Sequence, residues 1–384
     1  SGDSTNTRWE STDNGYLFLL PEWNNGRGAL TWIDMATGRT PSGALAGEVG
    51  ATISIVGGMP GDRIADNVRR LRSGHFVSIA PDWDADDEFT DVGAVTWISN
   101  TGTLGNGATA GLLSAATSLV GSRTGDRVGS HGIVEPTYYY SSNSYLVVSR
   151  EWGSAGDPAN AKGAVTWING TNGQTLAGTA GGVVDTTNSL VGANPGDLVA
   201  TNLVDSSREG NGVYQPNYGQ HYLIASPHWG EGRGAVTWIN GNDGTLANGS
   251  LAVGVVGAAN SVVGQTPANP FAQTTGDQVG SYIDLLSSGH VLIRSPNWTD
   301  FDVVDNAGAV TWMNGTNGLL VGMSNAAAFT EATSAVSSRN SLVGRANGDH
   351  VGSGGIEDAG SYVLIRSPDA RDQGQISYQG ALTW

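Results

Sequence analysis

Short apolar runs bounded by glycine, asparagine, aspartate or proline recur along the whole chain. The clearest run is the segment Gly-Ala-(Leu/Val)-Thr-Trp, whose β-branched and aromatic residues are typical of a half-buried strand and not of a helix. It ends at six tryptophans spaced 65 to 74 residues apart, which indicates a repeat architecture. These tryptophans are Trp32, Trp97, Trp167, Trp238, Trp312 and Trp384.

We call the Gly-Ala-(Leu/Val)-Thr-Trp segment strand d. Three further segments recur with the same period. An apolar run that mostly ends in Ser-Pro-x-Trp precedes it and forms strand c, as at residues 222–229. Earlier come Ser-Leu-Val-Gly, which forms strand a, and a Gly-Asp pair that opens strand b. Each repeat therefore predicts four short strands separated by turn residues. The Gly-Asp aspartates are Asp62, Asp126, Asp197, Asp277 and Asp349.

The spacing predicts a single repeat domain over residues 1–384. The chain enters at strand b, so residues 1–32 form a partial blade without strand a. Five full repeats follow it. Their bounds are 33–97, 98–167, 168–238, 239–312 and 313–384.

Four strands per repeat without a helical period predict an all-β fold, a β-propeller of four-stranded antiparallel blades. We expect six blades, with strand a innermost and strand d outermost. The alternatives are five blades plus a half blade, or a stacked β-solenoid. The sequence contains six copies each of strands b, c and d but five copies of strand a, so one blade is incomplete. Chain beyond Trp384, or another molecule, would have to donate its missing strand.

The composition of the chain argues against some classes of binding partner. The formal net charge is -17, with Lys162 as the single lysine, so an acidic surface argues against nucleic acid and anionic lipid. No apolar stretch reaches the length of a membrane helix, and we expect no membrane insertion. Cysteine is absent, which rules out disulfides. The start at Ser1, without Met or a signal peptide, suggests a processed form or an excerpt.

The combination of Asn-Ser-Leu-Val-Gly, Gly-Asp-x-Val-Gly, Ser-Pro-x-Trp and Gly-Ala-Val-Thr-Trp resembles a repeat of unassigned function. That repeat occurs in very large exported bacterial proteins, often labelled filamentous-haemagglutinin-like or adhesin. The resemblance covers nearly the whole chain. It implies an extracellular or cell-surface location and tandem arrays, with other copies or neighbouring propellers as partners. It supplies no catalytic residues.

One loop predicts a calcium site. Carboxylates that alternate along a loop can wrap oxygen ligands around a hard cation, and calcium is the one cofactor that the sequence suggests. The alternative is a solvated acidic loop, because no glycine supplies the sharp turn of known calcium loops. The six candidate ligands are Asp82, Asp84, Asp86, Asp87, Glu88 and Asp91.

Other repeated polar and aromatic residues have two interpretations each. The tryptophans could stack on sugars, but their periodicity favours packing within the fold. The Gly-Asp aspartates fit turn acceptors better than catalytic groups. His75, His221 and His290 fall at the start of strand c, which indicates a repeat position. Four Asn-x-Ser/Thr sequons are glycosylation candidates, or simply good turn sequences. They are Asn169, Asn248, Asn297 and Asn314.

These observations favour a non-catalytic extracellular module, structural or adhesive, that belongs to a surface array or filament linked by strand addition. A lectin-like, glycan-binding propeller is the alternative, and it requires exposed tryptophans. A glycosidase or lyase on a propeller scaffold is a third hypothesis, since propellers host many functions.

Overall fold

The computed structural model describes residues 7–45, 47–136, 143–201, 213–216, 220–271, 274–300, 304–370 and 381–383. The chain forms two compact units, Ser1–Glu135 with Asn143–Leu190, and Pro136–Ser142 with Val191–Trp384. Short β-strands dominate both, which confirms the all-β prediction. Within the described ranges, no helix has the length and apolar character needed to cross a membrane.

The first unit contains thirteen strands and two short helical segments among its described residues. The strands are β1 (Arg8–Ser11), β2 (Gly15–Leu20), β3 (Ala29–Asp34), β4 (Ile55–Val56), β5 (Val68–Arg70), β6 (Phe76–Ala80), β7 (Ala94–Ile98), β8 (Gly111–Leu112), β9 (Leu119–Val120), β10 (Ile133–Val134), β11 (Ser144–Ser149), β12 (Ala164–Asn169) and β13 (Gly182–Val183). The helical segments are α1 (Trp23–Gly26) and a 3₁₀ turn (Pro158–Asn160).

Strand β14 (Leu190–Val191) lies at the boundary between the units, and twelve strands follow in the described part of the second unit. They are β15 (Val213–Tyr214), β16 (Tyr222–Ser226), β17 (Ala235–Ile239), β18 (Gly254–Val255), β19 (Val262–Val263), β20 (Tyr282–Leu285), β21 (Val291–Ser295), β22 (Ala309–Met313), β23 (Ser341–Val343), β24 (Ile356–Asp358), β25 (Val363–Ser367) and β26 (Ala381–Thr383). The helical segments are α2 (Trp229–Gly232), α3 (Glu331–Ser334) and a 3₁₀ turn (Ala326–Ala328).

Five sheets join strands b, c and d of one repeat to strand a of the next, and among the described residues the last sheet has strands b, c and d alone. The orders are β1-β2-β3-β4, β5-β6-β7-β9, β10-β11-β12-β14, β15-β16-β17-β19 and β20-β21-β22-β23, and the last sheet is β24-β25-β26. The main pairings are antiparallel, as predicted. The prediction that strand d is outermost is wrong. Strand d lies between c and a because the chain returns beside it, and strand b forms the opposite edge.

A pair of hydroxyl groups, buried at four of the five junctions, fixes strand a against strand d. The threonine of Gly-Ala-Val-Thr-Trp and the serine of Ser-Leu-Val-Gly lie 2.6 Å apart, oxygen to oxygen, at each of these junctions. A buried hydroxyl needs a hydrogen-bond partner, and each member of the pair supplies the partner of the other. The pairs are Thr31–Ser54, Thr96–Ser118, Thr166–Ser189, Thr237–Ser261 and Thr311–Ser341.

Sequence analysis did not predict a further contact between consecutive repeats. Strand β8 pairs in parallel with β4, and β13 pairs in parallel with β9. Each is a two-residue segment that precedes the next strand a, and in the second unit Ala335 bridges to Val263 in the same way. At these three junctions strand a is therefore held from both sides, by strand d of its own sheet and by the approach segment of the following repeat.

The cores lie between sheets that stack face to face. Leu17 and Trp32 of the first sheet belong to one buried cluster with Phe76 and Ile98 of the second. In the second unit, the cluster that contains Leu223 and Trp238 continues into Val291, Ile293 and Met313 of the next sheet. As a result, strands β6, β11, β16 and β21 are buried on both faces.

Candidate functional site

The Gly-Asp aspartate is the centre of a repeated hydrogen-bond cluster, shown most fully by Asp126. Its side chain is fully buried. Oδ2 accepts the backbone N–H groups of Ser122 and Arg123 at 2.8 and 2.9 Å, while Oδ1 accepts that of Gly153 at 2.9 Å. The carboxylate thus joins the turn between strands a and b to the turn between strands c and d.

The same arrangement recurs in other repeats. Asp197 accepts the N–H groups of Ala193, Asn194 and Gly230 at 2.8 to 3.0 Å, and Asp277 likewise accepts those of Gln265, Thr266 and Thr299. The structure therefore confirms that these aspartates are turn acceptors.

Burial raises the pKa of Asp62 and Asp277, and their backbone N–H donors oppose the rise. Since backbone donors occupy the carboxylate oxygens of Asp126, Asp197 and Asp277, these groups serve the fold and are not presented to a substrate.

The histidines that begin strand c form a second repeated feature. The rings of His75, His221 and His290 lie 4.8 to 4.9 Å, centroid to centroid, from the tryptophan rings of strand d. Their Nδ1 atoms accept the N–H groups of Asn100, Gly241 and Gly315. An accepting Nδ1 requires the neutral ring with its proton on Nε2. These histidines fix the turn that follows strand d. Their recurrence in three repeats confirms that they occupy a repeat position.

The burial of His221 predicts a pH-dependent stability. Burial is the main cause that lowers its pKa from 6.5 to about 4, and Asp243 opposes the shift. The unfolded chain therefore binds a proton at higher pH than the folded chain does. The stabilisation from the neutral ring is complete above pH 6.5 and is lost as the pH falls from 6.5 to about 4. We expect a loss of about 1 to 2 kcal/mol over that interval, allowing for solvent screening.

Urea unfolding of the wild type and of His221→Asn across that interval checks the prediction. Asparagine keeps an oxygen acceptor but does not titrate there, so the variant should show a shallower decline in the free energy of unfolding. An equal decline in both proteins would contradict it.

The acidic loop binds its own backbone. Asp84 Oδ1 accepts the N–H of Asp91 at 2.7 Å, and Asp86 Oδ1 accepts those of Glu88 and Phe89 at 2.9 Å. Asp82 pairs with Arg127 at 2.7 Å, and Asp87 is exposed. Burial, followed by the charge of Asp82, raises the pKa of Asp91. Across the described residues, no three acidic or histidine side chains are grouped to hold a metal ion.

Calcium binding stays a prediction from the sequence. The hydrogen bonds within the loop determine how large an effect of calcium on thermal stability we expect. Because one oxygen of each carboxylate, Oδ1 of Asp84 and of Asp86, already accepts backbone N–H groups, we expect the melting temperature to be the same in calcium and in EDTA. Differential scanning calorimetry in both conditions is the measurement. A rise with calcium that Asp84→Asn abolishes would show instead that the loop rearranges around the ion.

The four sequon asparagines are half-buried and act in turns. Asn169 and Asn314 accept the N–H groups of Thr171 and Thr316 at 2.9 Å, which is the hydrogen bond of an Asx turn. Asn248 donates to Ala259, and Asn297 donates to Gln278. Glycosylation stays a prediction that mass spectrometry of the protein from its native source can test.

The strand d tryptophans pack against the next repeat. Trp97 donates from Nε1 to the carbonyl of Gly170 at 3.0 Å, and Trp238 donates to Gly315 at 2.9 Å. A Cβ on Gly173 would lie 2.7 Å from the Trp97 side chain, so glycine is required for this packing. Trp32, Trp97, Trp167 and Trp238 are buried and Trp312 is half-buried, while Trp384 lies outside the described residues.

Sequence analysis missed an aromatic cluster that is partly open to solvent. Trp9 on β1 is 59% exposed and meets the ring of Tyr16 edge to face at 5.4 Å. Tyr16 lies 6.4 Å from Phe18, and Ile33 pairs with Tyr16 across β2 and β3. Directly opposed residues share one side of a sheet. We call Trp9, Tyr16, Phe18 and Ile33 the first-sheet face.

The comparison with known families addresses the repeat itself. A family model described as a repeat of unknown function, DUF5650, matches the chain five times. This chain belongs to the DUF5650 repeat family. The matched ranges are 11–66, 70–130, 140–201, 218–281 and 285–353. No curated protein matches the chain.

The DUF5650 unit follows the sheets more closely than the tryptophan-ended repeat does. The first match, residues 11–66, contains strands c, d and a of the first sheet, β2, β3 and β4. The second match, residues 70–130, contains β6, β7 and β9 of the next sheet. A DUF5650 unit is thus the central part of one sheet together with the Gly-Asp turn that follows it.

Proposed function

We propose that this DUF5650 chain is a non-catalytic structural or adhesive module of an extracellular or cell-surface array, whose copies are linked by strand addition. Its sheets would be the blades of a β-propeller. The pairing between repeats carries the proposal: in five sheets strand d pairs with strand a of the following repeat, so each of these sheets is completed by strand addition from a neighbour. In the last sheet, β24-β25-β26, strand d has no such partner among the described residues.

This pairing supports linkage because a strand d whose partner comes from a neighbouring repeat can accept the same strand from another chain. Ser-Leu-Val-Gly is the segment that fills this position in the other sheets, so the expected donor is strand a of a neighbouring repeat. The neighbour would be another copy or an adjoining propeller.

The use of the repeated polar groups supports a structural role. The aspartates Asp126, Asp197 and Asp277 bind backbone N–H groups, and the threonine and serine hydroxyls bind each other. Nothing in these clusters is positioned toward a substrate. The resemblance to adhesin repeats and the net charge of -17 add support for a surface location without nucleic acid or membrane partners.

A chain that carries its own donor strand tests the linkage. A copy of residues 314–352 is appended after Trp384, so that strand a can pair with β26 in the same molecule. Assembly measured by sedimentation velocity should fall relative to residues 1–384 alone. The matched control carries proline in place of Leu342 and Val343 in the appended copy, which removes the backbone donors. Equal assembly by all three proteins would contradict strand addition.

A glycan-binding role is the second candidate, because one insertion exposes an aromatic ring. The turn between β19 and β20 is longer than its counterparts, and Asn269 and Thr274 pair across it. Phe271 at its tip is 98% exposed. His228, Glu231 and Gln278 line the groove beside it. A glycan array with the wild type and Phe271→Ala tests this role, and binding lost in the variant would support it.

A further inference from the structure

The turns of this chain are rich in Asn-Gly, a dipeptide that deamidates spontaneously in water. It occurs eleven times in the sequence. The glycine nitrogen loses its proton to solvent base and attacks Cγ of the asparagine, which forms a succinimide ring and releases ammonia. Water then opens the ring to aspartate or isoaspartate. Glycine favours this attack because it has no side chain to hinder it and its backbone is conformationally free.

The fold restrains this chemistry through hydrogen bonds of the glycine N–H groups. Among the described residues, nine of these glycines donate the N–H to an acceptor. A nitrogen that donates in a fixed geometry cannot reach Cγ of its asparagine until the hydrogen bond opens. The rate of deamidation therefore depends on local opening of each turn.

Two of the nine acceptors are side chains, and the other seven are backbone carbonyl oxygens. Gly241 donates to Nδ1 of His221 at 3.3 Å, and Gly315 donates to Nδ1 of His290 at 3.2 Å. Each ring lies against the tryptophan of its strand d, which holds the acceptor in place. Protection at these two turns thus depends on the identity of one residue.

We propose that Asn240 and Asn314 are deamidation sites that His221 and His290, respectively, keep unmodified. The strand c histidines then have a chemical role besides fixing a turn, since they preserve the asparagine that precedes the bonded glycine. The inference concerns turns within the second unit and is independent of strand addition.

The contacts around Asn314 show what its modification would disturb. Its Oδ1 accepts the N–H of Thr316 at 2.9 Å, and the carbonyl of Gly315 accepts Nε1 of Trp238 at 2.9 Å. Isoaspartate lengthens the main chain by one carbon and adds a negative charge at this point. Both hydrogen bonds depend on the normal path of the turn, so deamidation would loosen the packing of Trp238 against the next repeat.

Replacement of His290 by phenylalanine tests the proposal, because phenylalanine keeps a ring beside Trp312 but has no acceptor. The wild type and the variant are incubated at mildly alkaline pH, and peptide mapping by mass spectrometry follows aspartate and isoaspartate at each Asn-Gly. We expect Asn314 to deamidate about three to ten times faster in the variant, the factor that corresponds to the loss of one hydrogen bond. His290→Asn, which restores an oxygen acceptor, should return the rate toward that of the wild type.

The same peptide map contains the matched controls. The N–H of Gly170 donates to the backbone carbonyl of Asn143 at 2.5 Å, so Asn169 should keep its wild-type rate in every variant. Asn240 should respond to His221→Phe and not to His290→Phe. An unchanged rate at Asn314 in His290→Phe would overturn the proposal. Equal acceleration at Asn169, Asn240 and Asn314 would also overturn it, because protection would then come from global folding and not from the histidine.

Discussion

Replacement of Gly93 by alanine is expected to lower the free energy of unfolding by more than about 3 kcal/mol, because positive φ and a backbone clash act together. Gly93 has φ of +76°, and a Cβ there would lie 2.2 Å from the backbone nitrogen of Val128. The neighbouring atom belongs to the backbone of the next turn and cannot rotate away. Urea unfolding followed by tryptophan fluorescence measures the loss.

Gly107→Ala is the matched control. Gly107 has φ of +88° in the same unit, but a Cβ there would meet nothing within 4 Å. Its expected loss is only the left-handed backbone cost of about 1 to 2 kcal/mol. The difference between the two variants isolates the close approach of the two turns. If both lose the same stability, the approach of Gly93 to Val128 is not what requires glycine in the repeat.

Replacement of Asp126 by alanine is expected to cost about 3 to 5 kcal/mol, because each hydrogen bond to a charged group contributes about 1.5 to 3 kcal/mol and water can replace part of that loss. The variant removes the buried acceptor of three part-buried N–H groups, those of Ser122, Arg123 and Gly153. Asp126→Asn should fall between the wild type and the alanine variant, because its amide NH₂ turns a donor toward one set of N–H groups. Chemical unfolding of the three proteins gives the values.

Asp87→Ala serves as the control for charge. Asp87 is exposed in the acidic loop of the same unit, so its removal should change stability by no more than about 0.5 kcal/mol. A small effect at Asp126, similar to that at Asp87, would show that the aspartate is dispensable to the fold. It would also reopen a chemical role for this repeated residue.

Much of the fold follows from local sequence signals. The β-branched and aromatic alternation that ends at Trp97 predicts strand d, and the turn chemistry of Asp126 predicts its backbone contacts. The partner of strand d could not be predicted in this way. Strand a reaches it from the next repeat, through a long-range pairing that no local pattern encodes. The two-residue strands β8 and β13 are too short to give any periodicity.

The candidate site was less predictable for a similar reason. Trp9 stands outside the repeat motifs, and only the pairing of β1 with β2 places it beside Phe18. The half-exposure of Tyr16 depends on which sheet covers it, which sequence cannot show. In the acidic loop, the spacing of Asp84 and Asp86 suggested metal ligands. An aspartate in a turn can also bind its own backbone, and that local bond is the one observed here.

Electron microscopy of the purified chain at increasing concentration tests the central claim most directly, since strand addition between copies has a visible product. We predict beaded filaments whose length grows with concentration, and their loss in the chain with the appended donor strand but not in its proline control. Discrete particles of one chain at every concentration would contradict the claim and would direct attention to the groove beside Phe271.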